Sequence, residues 1–414
     1  MSPYESLEKL FHSNTSSSRF EDNAHEADLR LTNPFTFRTG ISIETGEVFL
    51  AMPKELTLIN EKMLRVERKV SKLWSSLPGI AQGQYIRSLI VDEVVWTNEI
   101  EGIHSSRRQI ESVLEKASSS PRKRDGERFI ELSKLYQDLS EGKTDYPETP
   151  EDIRQIFDDV VAGELLKKDL PDGVLFRKDV VEVKDAAQRV LHTGVIPEEK
   201  IFALLSQMIA LAESPEMPAT YRALISHFLF EYIHPFYDGN GRTGRYLLAL
   251  YLYEPLSLTT VLSLSRVIAE NKTTYYKAFQ TAESSLNHAE MTGFVMDLIG
   301  LIRIAQDNQI ESLTQKRDAL SLANSSLITL AEGPYHLSEK AVKVVYQAAQ
   351  NHLFAAFPET TLEGIQRYLE CGTQTARKYA QEAVDARLLQ TTSQKPLRFE
   401  LTAQALVALG LQPQ

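Results

Sequence analysis

His234 stands four residues before Asp238, which is followed by Gly239-Asn240-Gly241 and then by Arg242 and Arg245. A base, a carboxylate, a glycine-flanked turn and two guanidinium groups thus fall within the single run His234–Arg245. The unperturbed pKa of a histidine is about 6.5, so neutral His234 can take a proton from an incoming hydroxyl. Gly239 and Gly241 flank Asn240 where a helix would begin. Unpaired N–H groups and the helix dipole favour an anion there, and glycine lets a phosphate come close. Arg242 and Arg245, three apart, would share a helix face and could grip phosphate oxygens bidentately. With no ligand, arginines in a first helical turn would oppose the dipole; an anion removes that objection. Asp238 is a hard oxygen ligand suited to Mg²⁺, or else a cap for the helix that follows.

The flanking elements must hold this turn still. Before it, Tyr221, Leu224, Ile225, Phe228, Leu229, Tyr232 and Ile233 form one apolar stripe at helical spacing. That helix delivers His234 to its end. After the turn, Tyr246 to Tyr253 is apolar all round and reads as a buried central helix. Farther upstream, residues 1–55 look irregular, apart from a hairpin over Ile41 to Leu50 around Glu44-Thr45-Gly46. Helical pattern starts at Lys54. Ile86, Leu89, Ile90 and Val94 mark a helix ending near Gly102. Ser118 to Arg128 and Asp145 to Pro150 read as loops. Residues 173–197, with Val174, Phe176, Val180, Val181 and Val183, read as a β-hairpin closed near Gly194 and Pro197. Gly333-Pro334 marks a domain boundary. Helices over Glu339 to Leu353, Thr361 to Glu370 and Thr373 to Leu389 follow. A strand pair over Gln390 to Leu401, with Pro396 near its turn, completes the order of a winged helix.

The 414 residues suffice for two or three domains, and 43% hydrophobic content can build real cores. A net charge of −11 argues against broad nonspecific nucleic-acid binding. The lone Cys371 excludes an intramolecular disulfide framework and a thiolate zinc cluster. The N-terminal MSPYESLEKLFHSNTSSS is not a secretory signal, and no apolar run approaches the roughly 20 residues that span a bilayer. A cytoplasmic location without membrane attachment is expected.

The run His234-Pro-Phe-Tyr-Asp-Gly-Asn-Gly-Arg-Thr-Gly-Arg245 resembles the HPFx[D/E]GNGRxxR signature of the Fic family, with every specified position filled. The resemblance covers roughly residues 50–310. It implies a mainly α fold: a helical Fic core with a small β-hairpin flap, joined here to a C-terminal winged helix. The expected division is an N-terminal region with an inhibitory helix (1–117), the Fic catalytic domain (118–325) and the winged helix (334–414). The implied chemistry is transfer of AMP from ATP to a Ser, Thr or Tyr hydroxyl of a protein, with His234 as general base. Asp238 would hold Mg²⁺. Gly239, Asn240, Gly241, Arg242 and Arg245 would bind the phosphates. Asn271 and Tyr275-Tyr276 resemble the nucleoside-pocket region, with Tyr276 the candidate contact and core packing an equal reading for the tyrosines. Gly241 favours AMP transfer over the toxin-like branch, which carries lysine there and phosphorylates its target. The hairpin at 173–197 corresponds in position to the flap on which the target segment adds a strand.

Thr97-Asn-Glu-Ile-Glu-Gly102 fits the family's inhibitory pattern [S/T]xxxE[G/N]. Thr97 and Glu101 are four apart and share a helix face. An acid near a helix C-terminus is disfavoured by the dipole, so a partner is expected. Pairing of Glu101 with Arg245 would withdraw the guanidinium from the γ-phosphate. Some relatives use this glutamate to position a hydrolytic water, so AMP removal is a second enzymatic reading. A DNA-binding regulator is the alternative from another class: Arg377, Lys378 and Arg387 on the recognition helix, Lys395 and Arg398 on the wing. Glu382, Asp385 and Glu400 weigh against it. Self-modification and a homodimer are compatible with the family reading.

Overall fold

The computed structural model describes residues 4–119, 128–184, 187–332 and 337–413. Two compact units divide the chain, Met1–Arg68 with Asp92–Asp307, and Lys69–Val91 with Asn308–Gln414.

The N-terminal residues are not irregular. Helix α1 (Leu7–Ser13) is capped by the Ser6 side chain on the Lys9 N–H and buries Leu7 and Phe11. Helix α2 (Arg19–Leu31) carries Glu21 and Asp22 at its positive end. Helix α1 is only seven residues long and α2 is rich in charged residues, so periodicity alone did not reveal them. Strands β1 (Phe37–Ile43) and β2 (Gly46–Leu50) form the expected hairpin, pairing Ile43 with Gly46 and Phe37 with Leu50. Gly46 sits at a φ of 140° that other residues avoid.

Helix α3 (Lys54–Ser75) begins at the expected residue, and α4 (Gly79–Ile100) ends just before Gly102. Helix α5 (Arg107–Ser119) takes in the start of the expected Ser118 to Arg128 loop, most of which lies outside the described residues. The Gly333-Pro334 boundary lies outside them too. Helices α6 (Ile130–Ser140) and α7 (Pro150–Val160) follow, α7 opened by a reciprocal cap between Thr149 and Asp152.

The hairpin expected over 173–197 is shorter. Only β3 (Glu182–Lys184) and β4 (Val190–Thr193) pair, with Val183 opposite His192. The valine-rich lead-in is not strand because its N–H groups are taken. Those of Val174, Leu175 and Phe176 all donate to the Glu198 carboxylate at 2.7–2.9 Å.

Glu198 opens α8 (Glu198–Glu213), which packs on α9 (Ala219–Ile233); α9 in turn packs on α10 (Asn240–Leu252). The α9 stripe is only part of what that helix buries. Ala223, Ser226, His227 and Phe230, off the stripe, are buried as well, because neighbours cover α9 on several sides. Helices α11 (Leu258–Val261), α12 (Leu264–Glu270), α13 (Lys272–Glu283) and α14 (Thr292–Glu332) complete the series.

In the second unit, α15 (Glu339–Phe354), β5 (Thr360–Thr361), α16 (Leu362–Leu369), α17 (Thr373–Asp385), β6 (Leu389–Gln394), β7 (Leu397–Leu401) and α18 (Ala403–Leu409) run in order. Helix α17 stops four residues before Leu389, and β5 adds a third strand, giving the order β5-β7-β6. Ala376, Ala380 and Ala383 let α17 lie close on a core of Val344, Ile365, Phe399 and Leu401. Among the described residues, no helix is long and apolar enough to cross a membrane.

Candidate active site

The loop between α9 and α10 is built by its own residues. His234 ends α9 in the left-handed conformation, φ 49° and ψ 60°, an uncommon state for a non-glycine residue. Asn240 closes the loop, accepting the Phe236 N–H at 3.0 Å and donating to the Phe236 carbonyl at 2.8 Å. Phe236 is fully buried and stacks on Phe157 with ring centroids 3.5 Å apart. Gly239 takes φ 83° as the residue before α10. The Asn240 side chain is thus spent inside the loop; its contribution at the α10 N-terminus is its backbone N–H.

His234 Nδ1 lies 3.2 Å from the Glu231 carbonyl. A carbonyl only accepts, so this contact assigns the proton to Nδ1 and leaves Nε2 as the lone-pair nitrogen. Burial pushes the imidazole down to about 4, helped by His192 and Arg177 nearby. A neutral base therefore faces a cavity of about 150 Å³, lined among others by Glu101, Glu231, Gly241, Arg245, Leu191 and Tyr276.

Arg245 is buried, and its partners come from the end of α4. Its Nη2 donates to Glu101 Oε1 at 2.7 Å and to the Thr97 carbonyl at 3.0 Å, and its Nε to Thr97 Oγ1 at 2.9 Å. Burial works against the charge, but Glu101, Tyr275 and Glu231 together outweigh it and hold the guanidinium cationic. Gly241 is where these groups crowd. A Cβ there would lie 2.1 Å from Glu101 Oε1 and 2.9 Å from Arg245 Nη1. The glycine serves close approach, in an ordinary backbone conformation.

The two loop arginines do not converge. Arg242 is 1% exposed, lies away from the cavity wall and donates to Glu164 Oε1 at 2.9 Å. Glu164 also meets Arg128 at 3.2 Å. Although three positions apart, the two are drawn to different acids, Arg242 to Glu164 and Arg245 to Glu101. Asp238 is exposed, with one oxygen accepting the Gly239 N–H at 2.6 Å. Tyr276 lines the cavity and is 42% exposed. Tyr275 is in the core, its hydroxyl 2.7 Å from His227 Nε2, whose other nitrogen meets the Gly244 carbonyl at 3.1 Å. Asn271 turns its amide back on the Val267 carbonyl.

Four residues at the site carried no readable signal in the sequence. Glu164 neutralises Arg242. Arg177, fully buried, donates to the His234 carbonyl at 2.8 Å. His192 on β4 lies between the Glu283 carboxylate at 2.6 Å and the Tyr232 carbonyl at 2.8 Å. Both its neighbours are acceptors, so this bridge needs a second proton, on the ring or on the acid. Glu231 lies over Gly244, where a Cβ would come within 2.2 Å of its carboxylate. One Glu231 oxygen is buried without a partner, and burial pushes the group up to about 7.

The loop and the helices on either side of it lie in a segment that comparison identifies, whereas Thr97, Glu101 and Tyr276 lie outside it. Residues 147–252 match the Fic/DOC family model, and that segment is a Fic domain. A probable protein adenylyltransferase of Aquifex aeolicus (strain VF5) is 44% identical over 62 residues, 15% of this chain and 17% of that protein. The match therefore spans 17% of that curated relative's length. A crystal structure of a Fic family protein from Desulfovibrio desulfuricans G20 aligns over 85% of this chain and 97% of its own, with a TM-score of 0.51 and 18% identity. That likeness is one of fold. Fic-1 from C. elegans aligns over 75% of this chain and 81% of its own, at 17% identity and a TM-score of 0.45.

Proposed function

We propose that this chain is a self-inhibited protein adenylyltransferase. The observation that carries the reading is Arg245, held by Glu101 in the wall of the cavity that His234 lines. In the proposed reaction a Ser, Thr or Tyr hydroxyl of a target protein attacks the α-phosphate of ATP. The new bond joins the hydroxyl oxygen to that phosphorus, the bond to the β-phosphate oxygen breaks, and pyrophosphate leaves. The hydroxyl proton passes to His234 Nε2.

The N–H groups opening α10 and the Arg245 guanidinium would take the phosphates. Arg242 could join them by leaving Glu164. One exposed carboxylate plus substrate phosphates is a donor set that suits Mg²⁺, so Asp238 would hold that ion, which would offset charge on the leaving group. Tyr276 and Leu191 supply apolar surface for the base. The edge of the β3–β4 hairpin would carry the target segment.

In the resting form Glu101 occupies the place of an anionic ligand. The remaining cavity, about 150 Å³, is below the roughly 300–1,000 Å³ usual for ligand sites. The test is wild type and Glu101→Gly incubated with Mg-ATP labelled at the α-phosphate, alone and with lysate. AMP on protein, stronger in Glu101→Gly and lost with His234→Ala, supports the reading; no label in any combination rejects it.

The presence of Glu101 in the same cavity as His234 favours one second reading, hydrolytic removal of AMP with Glu101 orienting the water. Glu101→Gly would then lose removal while gaining transfer. The C-terminal elements support a winged-helix reading. Of its acids, Glu382 is already engaged by the Ser338 backbone and hydroxyl. A salt-dependent shift of duplex DNA, lost on deleting 334–414, would assign it a nucleic-acid role.

A further inference from the structure

Arg177 is, with Arg242, among the largest fully buried side chains in the described residues, and its hydrogen-bond partners are all backbone carbonyls. Its Nη1 donates to Asp179 at 2.7 Å, in the segment leading into β3. Its Nη2 donates to Val195 at 2.9 Å, just after β4, and reaches Ile233 at 3.4 Å. Its Nε donates to His234 at 2.8 Å. One planar fork therefore joins both roots of the β3–β4 hairpin to the last residues of α9 and to the backbone of His234. The backbone repeats the link: the Arg177 N–H donates to the Pro235 carbonyl at 3.3 Å and the Val195 N–H to Ile233 at 3.1 Å.

We propose that Arg177 is a positioning residue, fastening the β3–β4 hairpin to the backbone of His234 so that a hydroxyl presented by the hairpin meets the imidazole in register. This rests on the reading of His234 as general base. Three features argue for more than adhesion. A buried guanidinium with no carboxylate partner is costly, and what offsets it is the carbonyl-rich negative end of α9, the helix that ends at His234. Arg177 also sits where His234 takes an unfavourable left-handed backbone, which surrounding bonds must hold. Finally, the chain leaves room for it. At Gly194 a Cβ would come 2.3 Å from Arg177 Nη2 and 3.1 Å from the His234 Cβ.

Charge adds a second effect. Burial lowers Arg177 to about 10, so it stays cationic at neutral pH. A cation beside His234 disfavours the imidazolium, after burial and together with His192 on β4; Glu101 on α4 acts the other way. Glu231 on α9 lines the same cavity. Lysine in place of Arg177 would keep the charge but lose the fork. Methionine would lose both.

The experiment has two arms on the full chain. Histidine labelled at the Cε1 carbon reports the His234 titration by NMR, assigned by the signal that His234→Gln removes. Arg177→Met is expected to raise the His234 pKa by on the order of half a unit or more, and Arg177→Lys to leave it in place. In a Glu101→Gly background, Arg177→Lys is expected to cut transfer to protein at least about tenfold, with ATP affinity by calorimetry unchanged. An unmoved titration in Arg177→Met, or an undiminished rate in Arg177→Lys, overturns the proposal. Should Arg177→Met not fold, Arg177→Gln takes its place in the titration. If Glu101→Gly itself transfers nothing, the adenylyl-transfer reading fails, whereas the titration needs no turnover and still decides whether Arg177 acts on His234.

Discussion

Glu101 and Arg245, 144 residues apart in the chain, meet at 2.7 Å, and Thr97 one helical turn earlier takes the remaining bonds of the same guanidinium. The last turn of α4 is thus a two-residue clamp on one arginine. Arg245 is buried but the Glu101 side chain is 32% exposed, so breaking this pair costs less than the roughly 3–5 kcal/mol of a fully buried one. Under the proposed function, ATP must meet that cost before Arg245 can turn to a phosphate. Glu101→Gly is expected to raise the initial rate of AMP transfer on the order of 100-fold. Thr97→Val, which leaves Glu101 in place, should raise it far less. Equal rates for wild type and Glu101→Gly, measured with α-labelled ATP, would sink the clamp.

The Arg242–Glu164 pair gives a stability prediction that is independent of activity. Both side chains are almost fully buried, and Arg242 Nε already has no partner. Glu164→Ala would strand a buried guanidinium and is expected to cost about 3–5 kcal/mol in urea unfolding. Glu164→Gln, which keeps an acceptor, should cost less. An unchanged unfolding midpoint for Glu164→Ala would show that Arg242 finds water or another acceptor.

His234 is held at about 4, first by burial. The base is therefore neutral well below the usual histidine range, and the rate of Glu101→Gly is expected to be flat from about pH 5 to 8 as far as this group is concerned. An acid limb near 6.5 assigned to His234 would contradict its buried setting. The same groups set a stability trend. Burial also lowers His227 to about 3. In the unfolded chain both histidines titrate near 6.5. Below that pH the unfolded chain binds protons that the fold refuses, so their contribution falls as pH drops from about 6.5 through 4 and 3.

Glu93 has the opposite sign. It is buried, accepts from the Ser265 N–H at 3.2 Å and lies 3.4 Å from the Tyr136 hydroxyl. Burial pushes it up to about 7. Between its unfolded value near 4.5 and that point the fold holds the extra proton, so its contribution to stability is lost as pH rises. Relative to wild type, Glu93→Gln should gain up to about 3 kcal/mol between pH 4.5 and 8. Parallel urea midpoints for the two proteins across that range would refute it.

Gly244 and Glu231 form a fitted pair between α10 and α9. A Cβ at Gly244 would meet the Glu231 carboxylate at 2.2 Å and Phe230 at 2.9 Å. Gly244→Ala should therefore destabilise by about 1–3 kcal/mol, despite alanine's better helix propensity. In a Glu231→Ala background the part due to the carboxylate should vanish, and the Phe230 contact should keep the rest. A double-mutant cycle by thermal unfolding measures the coupling, and strict additivity would separate the two residues.

The placement of the loop residues was legible in the sequence because it is local. His234, Gly239, Gly241 and Arg245 occupy one run, and helix ends and glycine turns follow from neighbours in the chain. Thr97 and Glu101 were legible for the same reason, as two side chains one turn apart with a disfavoured acid in need of a partner. The apolar spacing of 221–233 and 246–253 likewise announced the helices that carry the loop. What tertiary structure decided is which charge meets which. Arg242 turns to Glu164, 78 positions away, and Arg177 reaches His234 across 57. A single arginine or glutamate leaves no periodic trace, and its partner depends on how α7, α9, α10 and the β3–β4 hairpin come together. The early helices α1 and α2 escaped for a related reason. The Leu7, Leu10 and Phe11 spacing of α1 fills only a seven-residue helix, α2 is rich in charged residues, and the two helices pack on each other. Local order is written in spacing, whereas long-range pairing of buried polar groups is settled only when desolvation forces each one to find a partner.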